Sequence, residues 1–573
     1  MSFTEDGQNL SRRGLFKLSG TLAAGAAVAG LAGCAPTKST SEMAETGMSS
    51  AGDGRATWSW ETAPAAIPDD QIVEVIEHDF VVVGAGLAGC STACSLAQNG
   101  GDVVVLEKTD TYGARGGHFG TINTRRWVEA IGETDPAEVA RDWVAQCNSR
   151  CNERLVWTFL NNCGEAMDWC IDLAEDRGFQ PSMVEATYKS APYREYYGTY
   201  VLRAPEDFKA SAKAPESLEH CPESIGNSAV FVLRDEALAN GATFAYNAPA
   251  VQLVKDGDRV SAVITEEKDG YKKYVARKAV ILTTGDISGD DEMCERYSPL
   301  MLKCERTDYV PLGANTGDGH KMGMWIGAKM EEAPFSPMIH PQGYARVNHF
   351  FLIVNTLGHR FMNEGVWAQG KSLGILNTEG NAGHAWTIID DKWLEEIPQT
   401  LDIGGGMFWD SRGHMYGKEW ASRDDEGFMQ AAEEAGWVCK ADTIEELADL
   451  IAADEPNFIK ADFIAEVERY NTMCANGKDT DFGKDARLLF ELKNPPFYAV
   501  KTGPSRMVCP GGLLVNTESQ VLDGDDKPIE GLYAVGNVAG GLYGVDYPLV
   551  ILGNSHGRCI TFGYLLGKAL TRA

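Results

Sequence analysis

The chain has 573 residues, of which 44% are hydrophobic, and a formal net charge of -31 at pH 7. At roughly 150 residues per domain, this length predicts two to four structural units with a sizeable core. Such an acidic surface argues against nucleic acid or an anionic membrane face as a partner, because phosphate groups would be repelled.

Residues 1–34 have the pattern of an export signal. The stretch SRRGLFK (11–17) matches the twin-arginine pattern, and the apolar run after it ends near Leu31. This run is shorter than the ~20 residues of a membrane-spanning helix, so it predicts a cleaved signal peptide. LAGC matches a lipobox, which predicts a lipid anchor through Cys34; the alternative is a plain thiol in a discarded peptide. Residues 35–76 are expected to form a flexible tether.

A nucleotide-binding motif follows the tether. A short apolar strand leads directly into GAGLAG (84–89), then come an Ala/Leu/Cys-rich helix and a second strand that ends at Glu107. Gly84 permits the tight turn, Gly86 lets the backbone approach a pyrophosphate, and Gly89 lets the helix pack on the strand. The carboxylate at the end of the second strand can accept hydrogen bonds from a ribose. This order of elements predicts dinucleotide binding.

Two distant segments repeat the pattern of a strand that ends in a glycine turn. They are VILTTGD (280–286) and GLYAVGN (531–537), and Gly553-Asn554-Ser555 then opens an apolar helix that runs through Leu566. Strands from three separated regions are therefore expected to lie in one sheet.

From His78 to its end the chain resembles the FAD-binding domain of the fumarate reductase, urocanate reductase and 3-ketosteroid dehydrogenase superfamily. The specific marks are the Gly-Gly pair at 116–117, TGDG (316–319), GHRFMNE (358–364) and the two Gly-Asn pairs at 536–537 and 553–554. The resemblance implies an α/β fold, with a Rossmann-like FAD-binding domain and an inserted α+β capping domain. It also explains the signal, since a folded protein loaded with FAD needs an export route for folded cargo.

The resemblance implies domain limits and cofactor contacts. The FAD-binding domain is expected at 77–330 and 505–573, and the capping domain at 331–504. Within the cap, residues 443–470 predict two amphipathic helices, with Leu447, Leu450 and Ile451 on one face and Phe463, Val467 and Tyr470 on another. The residues expected to bind FAD are Gly84, Gly86, Leu87, Ala88, Gly89, Glu107, Lys108, Gly116, Gly117, Val251, Thr284, Gly285, Asp318, Gly536, Asn537, Asn554 and Ser555.

The sequence shows neither a second GxGxxG unit nor a CxxCH haem motif. Electrons are therefore expected to come from outside the chain. For an exported protein, a membrane-associated cytochrome c or a quinol-oxidising protein is the expected donor, as in anaerobic respiration.

The substrate positions of fumarate reductases are altered in this chain. The resemblance places the catalytic arginine at Ala368, the second clamp arginine at Val550 and a clamp histidine near Val508. An arginine pairs a carboxylate through a planar, charged fork, and an apolar replacement would leave that carboxylate buried without a partner. Fumarate and succinate are therefore poor candidates.

The loop GLYGVDYPLVILGN (541–554) is instead rich in apolar and phenolic groups and partly resembles the tyrosine loop of ketosteroid dehydrogenases. An activated C=C bond beside a carbonyl, in an aromatic, steroid-like or other enone or enoate, is the expected substrate. The candidate catalytic residues are Tyr547, as acid or carbonyl donor, His340, and Arg360, whose alternative role is an ion pair with Glu364. The candidate substrate-binding residues are Arg346, Tyr543, Trp367 and Tyr344; Phe350, Phe351 and Trp409 could add to an aromatic wall or pack in the core.

Several alternatives stay open at this stage. The chain could run the reverse reaction as a flavin dehydrogenase of the 3-ketosteroid Δ1 type, reduce a dicarboxylate, or act only as an electron carrier. The expected cap favours an enzyme, because a carrier does not need a closable pocket. No metal site is predicted: a cluster at Cys147, Cys151, Cys163 and Cys170 is the weaker alternative to buried thiols.

Overall fold

The computed structural model describes residues 49–50, 56–114, 116–186, 188, 194–205, 225–307, 313–347, 349–380, 382–403, 415–417 and 422–572. The export signal, the lipobox and Trp409 lie outside the described residues. The chain divides into two compact units, Met1–Thr57 and Trp58–Ala573. No helix among the described residues combines the length and the apolar composition needed to cross a bilayer.

The strands of the described residues are mostly short, and the two longest pair with each other. In chain order they are β1 Ser49–Ser50, β2 Ala56–Thr57, β3 Ile72–Val83, β4 Val103–Glu107, β5 Phe119–Gly120, β6 Gln180–Met183, β7 Thr199–Arg203, β8 Thr243–Tyr246, β9 Ala250–Asp256, β10 Arg259–Glu267, β11 Gly270–Leu282, β12 Arg306–Thr307, β13 Met338–His340, β14 Leu352–Val354, β15 Ala385–Ile389, β16 Val438–Ala441, β17 Phe497–Thr502, β18 Ser505–Val508, β19 Gln520–Leu522 and β20 Pro528–Ala534.

The α-helices of the described residues are, in chain order, α1 Leu87–Gln98, α2 Arg125–Ile131, α3 Pro136–Gln146, α4 Glu153–Glu175, α5 Ile225–Ala239, α6 Asp291–Tyr297, α7 Asp318–Trp325, α8 Ala368–Asn377, α9 Trp393–Glu396, α10 Arg423–Glu434, α11 Ile444–Asp454, α12 Lys460–Ala475 and α13 Asn554–Thr571. Short 3₁₀ helices lie at Ser59–Glu61, Asp69–Gln71, Pro299–Lys303, Ile397–Ile403 and Ala486–Leu488. In the first unit, the described residues form only the antiparallel pair β1–β2.

A mixed sheet in the order β19-β20-β11-β3-β4-β8 forms the centre of the second unit. Its pairs from β20 to β8 are parallel, while β19 and the β9–β10 hairpin add antiparallel strands. Val83 is in register with both Leu106 and Leu282, and Leu282 with Ala534. The predicted return of three separated regions to one sheet is therefore confirmed, and their carboxyl ends share one edge.

Helices α1 and α13 pack closely against each other because small residues line both. A Cβ added at Gly563 would lie 2.2 Å from Ser91 Oγ, and one added at Gly567 would lie 2.4 Å from the side chain of Ser95. Ser91 Oγ also donates to the carbonyl oxygen of Cys559 at 2.8 Å. This contact places the first turns of both helices next to the same sheet edge.

The expected tether ends earlier than residue 76. Strand β3 begins at Ile72, which pairs with Tyr271 of β11. Trp60 is buried, and its ring centroid lies 5.5 Å from that of Tyr297. The outer half of β3 is largely solvent-exposed although it carries apolar residues: Val73, for example, is 58% exposed.

A second, four-stranded antiparallel sheet, β14-β15-β17-β16, lies within the segment expected to form the cap. The two predicted amphipathic helices are present as α11 and α12. Leu447, Ile451 and Phe463 are fully buried, whereas Leu450 is 43% exposed. Leu450, predicted on the same face as Leu447 and Ile451, is therefore not part of the buried core.

Candidate functional site

The GAGLAG turn connects β3 to α1 at the carboxyl edge of the large sheet. Gly84 has φ +108°, and Gly86 is the N-cap of α1, so that Leu87 and Ala88 form the first turn of the helix. A Cβ at Gly89 would lie 1.8 Å from the carbonyl oxygen of Gly84, which leaves no room for any side chain. The free N–H groups of this helix start are suited to a phosphate.

Glu107 holds the turn in place from the end of β4. Its Oε2 accepts from the Ala85 backbone N–H at 2.8 Å, and its Oε1 accepts from the Thr109 N–H at 2.8 Å. Lys108 Nζ donates to Asp318 Oδ2 at 2.8 Å, at the start of α7. The structure thus brings Glu107, Lys108 and Asp318 to one edge, whereas Val251 lies in β9, half-buried.

Several buried polar atoms at this edge have no hydrogen-bond partner among the described residues, and they provide a test of whether FAD would fit. They are Thr284 Oγ1, Asn554 Oδ1 and Arg558 Nε. Next to Thr284, Gly285 has φ +78°. Gly116, with φ +76°, lies so close to His556 that an added Cβ would be 2.8 Å from the imidazole ring. Buried polar groups normally have partners, so these atoms fit a bound polar cofactor. Gly117 follows in the same segment, buried.

The C-terminal turn adds a second helix start to this edge. Gly536, with φ +83°, leads into Asn537, whose Oδ1 accepts from Arg558 Nη2 at 2.7 Å. Ser555 Oγ lies 3.3 Å from the same oxygen. Asn554 Nδ2 donates to the Pro548 carbonyl oxygen at 2.7 Å, which fixes the loop before α13. Helix starts from both ends of the chain therefore meet at this site.

Tyr543 and Tyr547 form a buried aromatic group in this loop. Their ring centroids are 5.2 Å apart, and Tyr543 stacks on Trp143 at 5.7 Å. The Tyr547 hydroxyl accepts from the Ser555 backbone N–H at 3.0 Å, at the N-terminus of α13. The guanidinium carbon of Arg558 lies 4.6 Å from the centre of the Tyr543 ring.

Burial sets the acid–base state of these tyrosines. It raises the pKa of Tyr547 well above its ordinary value, and it raises the pKa of Tyr543 as well. Arg558 acts in the opposite direction but does not overcome the loss of solvation. Both hydroxyls therefore stay protonated at neutral pH.

Asp546 and Gln369 join the tyrosine loop to the 331–504 segment, and neither was predicted from the sequence. Gln369 Nε2 donates to Asp546 Oδ1 at 3.0 Å and to the Pro337 carbonyl oxygen at 2.6 Å. Gln369 Oε1 accepts from the Ile339 N–H at 3.1 Å. Burial raises the pKa of Asp546 to about 6. The one sequence feature that could have pointed to Asp546 was its position next to Tyr547.

The other cap residues lie close to this junction. His340 ends β13, pairs with Ser505 of β18 and is 4% exposed. Trp367 is the N-cap of α8 and is 9% exposed. Ala368 and Val550, which stand at the arginine positions of fumarate reductases, are both fully buried. The surroundings of these positions are therefore dry.

Arg360 lies in a buried ion network within the cap. Its Nε and Nη2 donate to the two carboxylate oxygens of Glu364 at 2.8 and 2.9 Å. Its Nη1 and Nη2 donate to Asp479 at 3.1 and 2.8 Å, and Lys484 Nζ lies 3.1 Å from Glu364 Oε2. The ion pair that the sequence left open as the alternative role of Arg360 is present.

Arg346 and Tyr344 line a cavity of about 220 Å³, called here the basic pocket. Its lining residues are Arg306, Thr307, Gln342, Gly343, Tyr344, Arg346, Trp437 and Ser505. The candidate substrate residues are thus separated into the basic pocket and the tyrosine loop. Phe350 and Phe351 pack in the core of the cap, with ring centroids 4.6 Å apart.

The cysteines provide no assembled metal site in the part of the chain that is described. Cys147, Cys163 and Cys170 are buried, and Cys151 is half-buried. Within the same residues, no group of three or more His, Cys, Asp or Glu side chains is arranged to hold a metal ion. Burial raises the pKa of the Cys163 thiol to about 12, so it stays protonated.

Comparison with known proteins agrees with this geometry. A urocanate reductase of Eggerthella lenta is 28% identical over 507 residues, covering 85% of this chain and 74% of the relative. A vinyl phenol reductase of Lactiplantibacillus plantarum is 25% identical over 515 residues, covering 86% and 95%. The solved 3-ketosteroid delta1-dehydrogenase of Sterolibacterium denitrificans has a TM-score of 0.66 at 21% identity, covering 87% of this chain and 99% of that one, and so shows a shared fold.

The family model agrees with the resemblance found in the sequence. The model described as FAD binding domain matches residues 79–549. The α/β fold, FAD as the cofactor, and an FAD-dependent oxidoreductase acting on CH–CH or C=C bonds are thereby confirmed. The chain belongs to the FAD binding domain family.

Proposed function

We propose that this chain reduces an activated C=C bond in an enone or enoate that carries an aromatic or steroid-like ring system. The observation that carries the proposal is the tyrosine loop: Tyr543 and Tyr547 lie buried at the start of α13, at the sheet edge where the GAGLAG turn lies. The relatives named for vinyl phenol and urocanate support a ring-bearing alkene.

The residues at the sheet edge fit FAD. The start of α1 would hold the pyrophosphate, Glu107 the ribose, and Thr284, Asn554 and Arg558 have buried atoms that still need polar partners. When bound, FAD supplies two electrons to the substrate as a hydride. The remaining steps, binding, orientation and protonation, belong to the side chains of this chain.

Tyr547 and Asp546 divide the proton chemistry between them. A hydroxyl whose pKa is raised gives up its proton reluctantly, so Tyr547 is better suited to donate a hydrogen bond to the substrate carbonyl. Asp546, with a pKa of about 6, exchanges a proton readily near neutral pH and is the better proton source for the α carbon. His340 would orient the carbonyl or carboxylate from the cap side.

The dicarboxylate alternative loses support from the site. Ala368 and Val550 are fully buried, so a second carboxylate placed there would be desolvated without a cation. The reverse reaction, dehydrogenation of a ketosteroid, stays the second candidate because the buried tyrosine pair suits either direction. The redox potential of the bound cofactor and the electron donor would decide between them.

The cellular setting is part of the same proposal. The twin-arginine pattern and the lipobox favour an exported lipoprotein that receives electrons from a membrane-associated cytochrome or quinol-oxidising donor. Replacing Arg12 and Arg13 with lysine should keep the protein in the cytoplasm, which fractionation and immunoblotting would show.

Turnover with an artificial donor tests the proposed reaction. The FAD-loaded full chain is supplied anaerobically with reduced methyl viologen and one alkene at a time: an aryl enone, an aryl enoate, an enone steroid or fumarate. We expect viologen oxidation with at least one ring-bearing alkene and none with fumarate. Turnover of fumarate alone would contradict the proposal. In a separate assay with an oxidised dye as electron acceptor, oxidation of a saturated ketosteroid, without any alkene reduction in the viologen assay, would favour the dehydrogenase.

A further inference from the structure

The basic pocket combines features of an anion-binding site. Two arginines, Arg306 and Arg346, are among its lining residues, and no carboxylate from the described part of the chain is. In a chain whose net charge is -31, a cavity whose charged lining residues, among those described, are two arginines is unusual. The nearest acid in sequence, Glu305, is already engaged: it accepts from the Tyr344 hydroxyl and lies 3.0 Å from His384 Nδ1.

Arg306 is held in place but keeps hydrogen-bonding capacity. Its Nε donates to the Gly343 carbonyl oxygen at 3.1 Å. Its guanidinium carbon lies 5.5 Å from the centre of the Tyr344 ring and 5.4 Å from that of Trp437. Within the described residues Arg306 forms no ion pair. Its two terminal nitrogens can therefore donate two parallel hydrogen bonds to the oxygens of one carboxylate.

Ser505 provides an independent observation. It lines the same pocket and is fully buried, and its Oγ has no hydrogen-bond partner among the described residues. A buried hydroxyl normally has a partner, because leaving it without one destabilises the folded protein. A ligand oxygen in the pocket would satisfy this group.

Strand pairing connects the pocket to the candidate substrate histidine. Arg306 of β12 pairs with Ser505 of β18, and Ser505 pairs with His340 of β13. Paired residues in neighbouring strands project from the same face of a sheet. Arg306, Ser505 and His340 therefore form one row on one face.

We propose that the basic pocket binds the carboxylate of a small organic acid, with Arg306 as the main cation and Ser505 as a hydroxyl donor. The cavity volume of about 220 Å³ is below the roughly 300–1,000 Å³ of drug-sized ligand sites, so it suits one ring or one acidic group. The carboxylate belongs either to the substrate itself or to a separate ligand. The site does not depend on the proposed alkene reduction.

Calorimetric titration of the FAD-loaded full chain with benzoate tests the proposal, with benzamide as the neutral probe. We expect benzoate to bind more weakly as salt is raised, and benzamide to bind at least tenfold more weakly than benzoate. Arg306→Gln should weaken benzoate binding about tenfold or more, and Ser505→Ala several-fold. The control Arg296→Gln removes an exposed arginine that lies over the Tyr297 ring outside the pocket, and it should change nothing.

Three results would overturn the proposal: no benzoate binding at millimolar concentration, equal binding of benzamide, or equal weakening by Arg296→Gln. Turnover then separates the two sources of the carboxylate. If it belongs to the substrate, Arg306→Gln raises KM for cinnamate but not for methyl cinnamate. If it belongs to a separate ligand, benzoate alters the turnover of methyl cinnamate in the wild type and not in Arg306→Gln. Because binding is read by calorimetry, the site can stand even if no alkene is reduced.

Discussion

Burial decides what the ionisable side chains near the tyrosine loop can do. Tyr547 keeps its proton because its pKa is raised well above the ordinary value, whereas the pKa of Asp546, about 6, lies close to neutral. The two adjacent residues therefore differ in chemistry: Tyr547 acts as a neutral hydrogen-bond donor, and Asp546 as an acid that exchanges its proton.

Asp546→Asn should make the protein more stable at neutral pH. Burial raises the Asp546 pKa from 3.8 to about 6, so above pH 6 the native state carries an ionised group that burial disfavours. Near pH 4 the native carboxyl is protonated and the unfolded one is only about half ionised, so most of the penalty is gone. The free energy of unfolding of the variant should exceed that of wild type by about 1–3 kcal/mol at pH 7.5.

Urea unfolding at pH 7.5 and pH 4 measures this difference. A difference in the free energy of unfolding between variant and wild type that shrinks as the pH falls agrees with the pKa assigned to Asp546. An equal difference at both pH values would show instead that the substitution acts through packing or through the Gln369 contact.

Arg360→Met should cost stability rather than catalysis. Removing the guanidinium leaves the carboxylates of Glu364 and Asp479 buried with fewer partners, which typically costs 3–5 kcal/mol, and roughly that range is expected here. The matched control is Arg469→Gln, whose ion pairs with Glu466 and Asp481 are partly exposed and should be worth less than about 1 kcal/mol.

Denaturant melts of both variants decide this prediction. A melt of Arg360→Met that matches wild type, together with a large loss of kcat, would instead return Arg360 to the catalytic residues.

Among the elements, the contact between α1 and α13 has the most direct consequence for the site, because both helices begin at the cofactor edge. A Cβ at Gly563 would lie 2.2 Å from Ser91 Oγ and 2.9 Å from the Thr92 backbone nitrogen. The second distance involves backbone and cannot relax by a side-chain rotation. A larger side chain at Gly563 would therefore shift the N-terminus of α13 relative to that of α1.

Gly563→Ala should therefore lower both stability and FAD retention. We expect a loss of about 1–3 kcal/mol in the free energy of unfolding, as for an overpacked core. Gly427→Ala is the control, because a Cβ added there in α10 would meet no heavy atom of the described residues within 4 Å apart from its own chain neighbours and helix backbone. FAD released on gel filtration, read at 450 nm, should rise only for Gly563→Ala; equal release from both would contradict the account.

Elements that are encoded by residues close together in the sequence could be predicted from the sequence. The glycine turn, the strand pairs around it and the helices α11 and α12 follow from short-range patterns of apolar residues and glycines. The outer half of β3 was missed because an exposed strand carries no such pattern. The basic pocket was not predicted as a unit because Arg306 and Ser505 are far apart in sequence and are brought together by the pairing of β12 with β18.

At the scale of the whole molecule, the charge of -31 should govern how electron donors approach. A strongly acidic surface attracts cationic donors and repels anionic ones, and salt screens both effects. Reduction of the FAD-loaded protein by the cationic methyl viologen radical should therefore slow as ionic strength rises. Reduction by an anionic anthraquinone disulfonate hydroquinone should accelerate over the same range. Stopped-flow traces with no salt dependence for either donor would contradict this expectation.

The central claim is that a ring-bearing carbonyl alkene is reduced beside a neutral Tyr547 hydroxyl. Its most direct test is a single-turnover measurement, in which anaerobically reduced, FAD-loaded protein is mixed with 4-phenylbut-3-en-2-one and reoxidation is followed at 450 nm. The account predicts rapid reoxidation by wild type, and a rate at least about 10²-fold lower for Tyr547→Phe with unchanged FAD content. Equal rates for the two proteins, or reoxidation by fumarate and not by the enone, would contradict it.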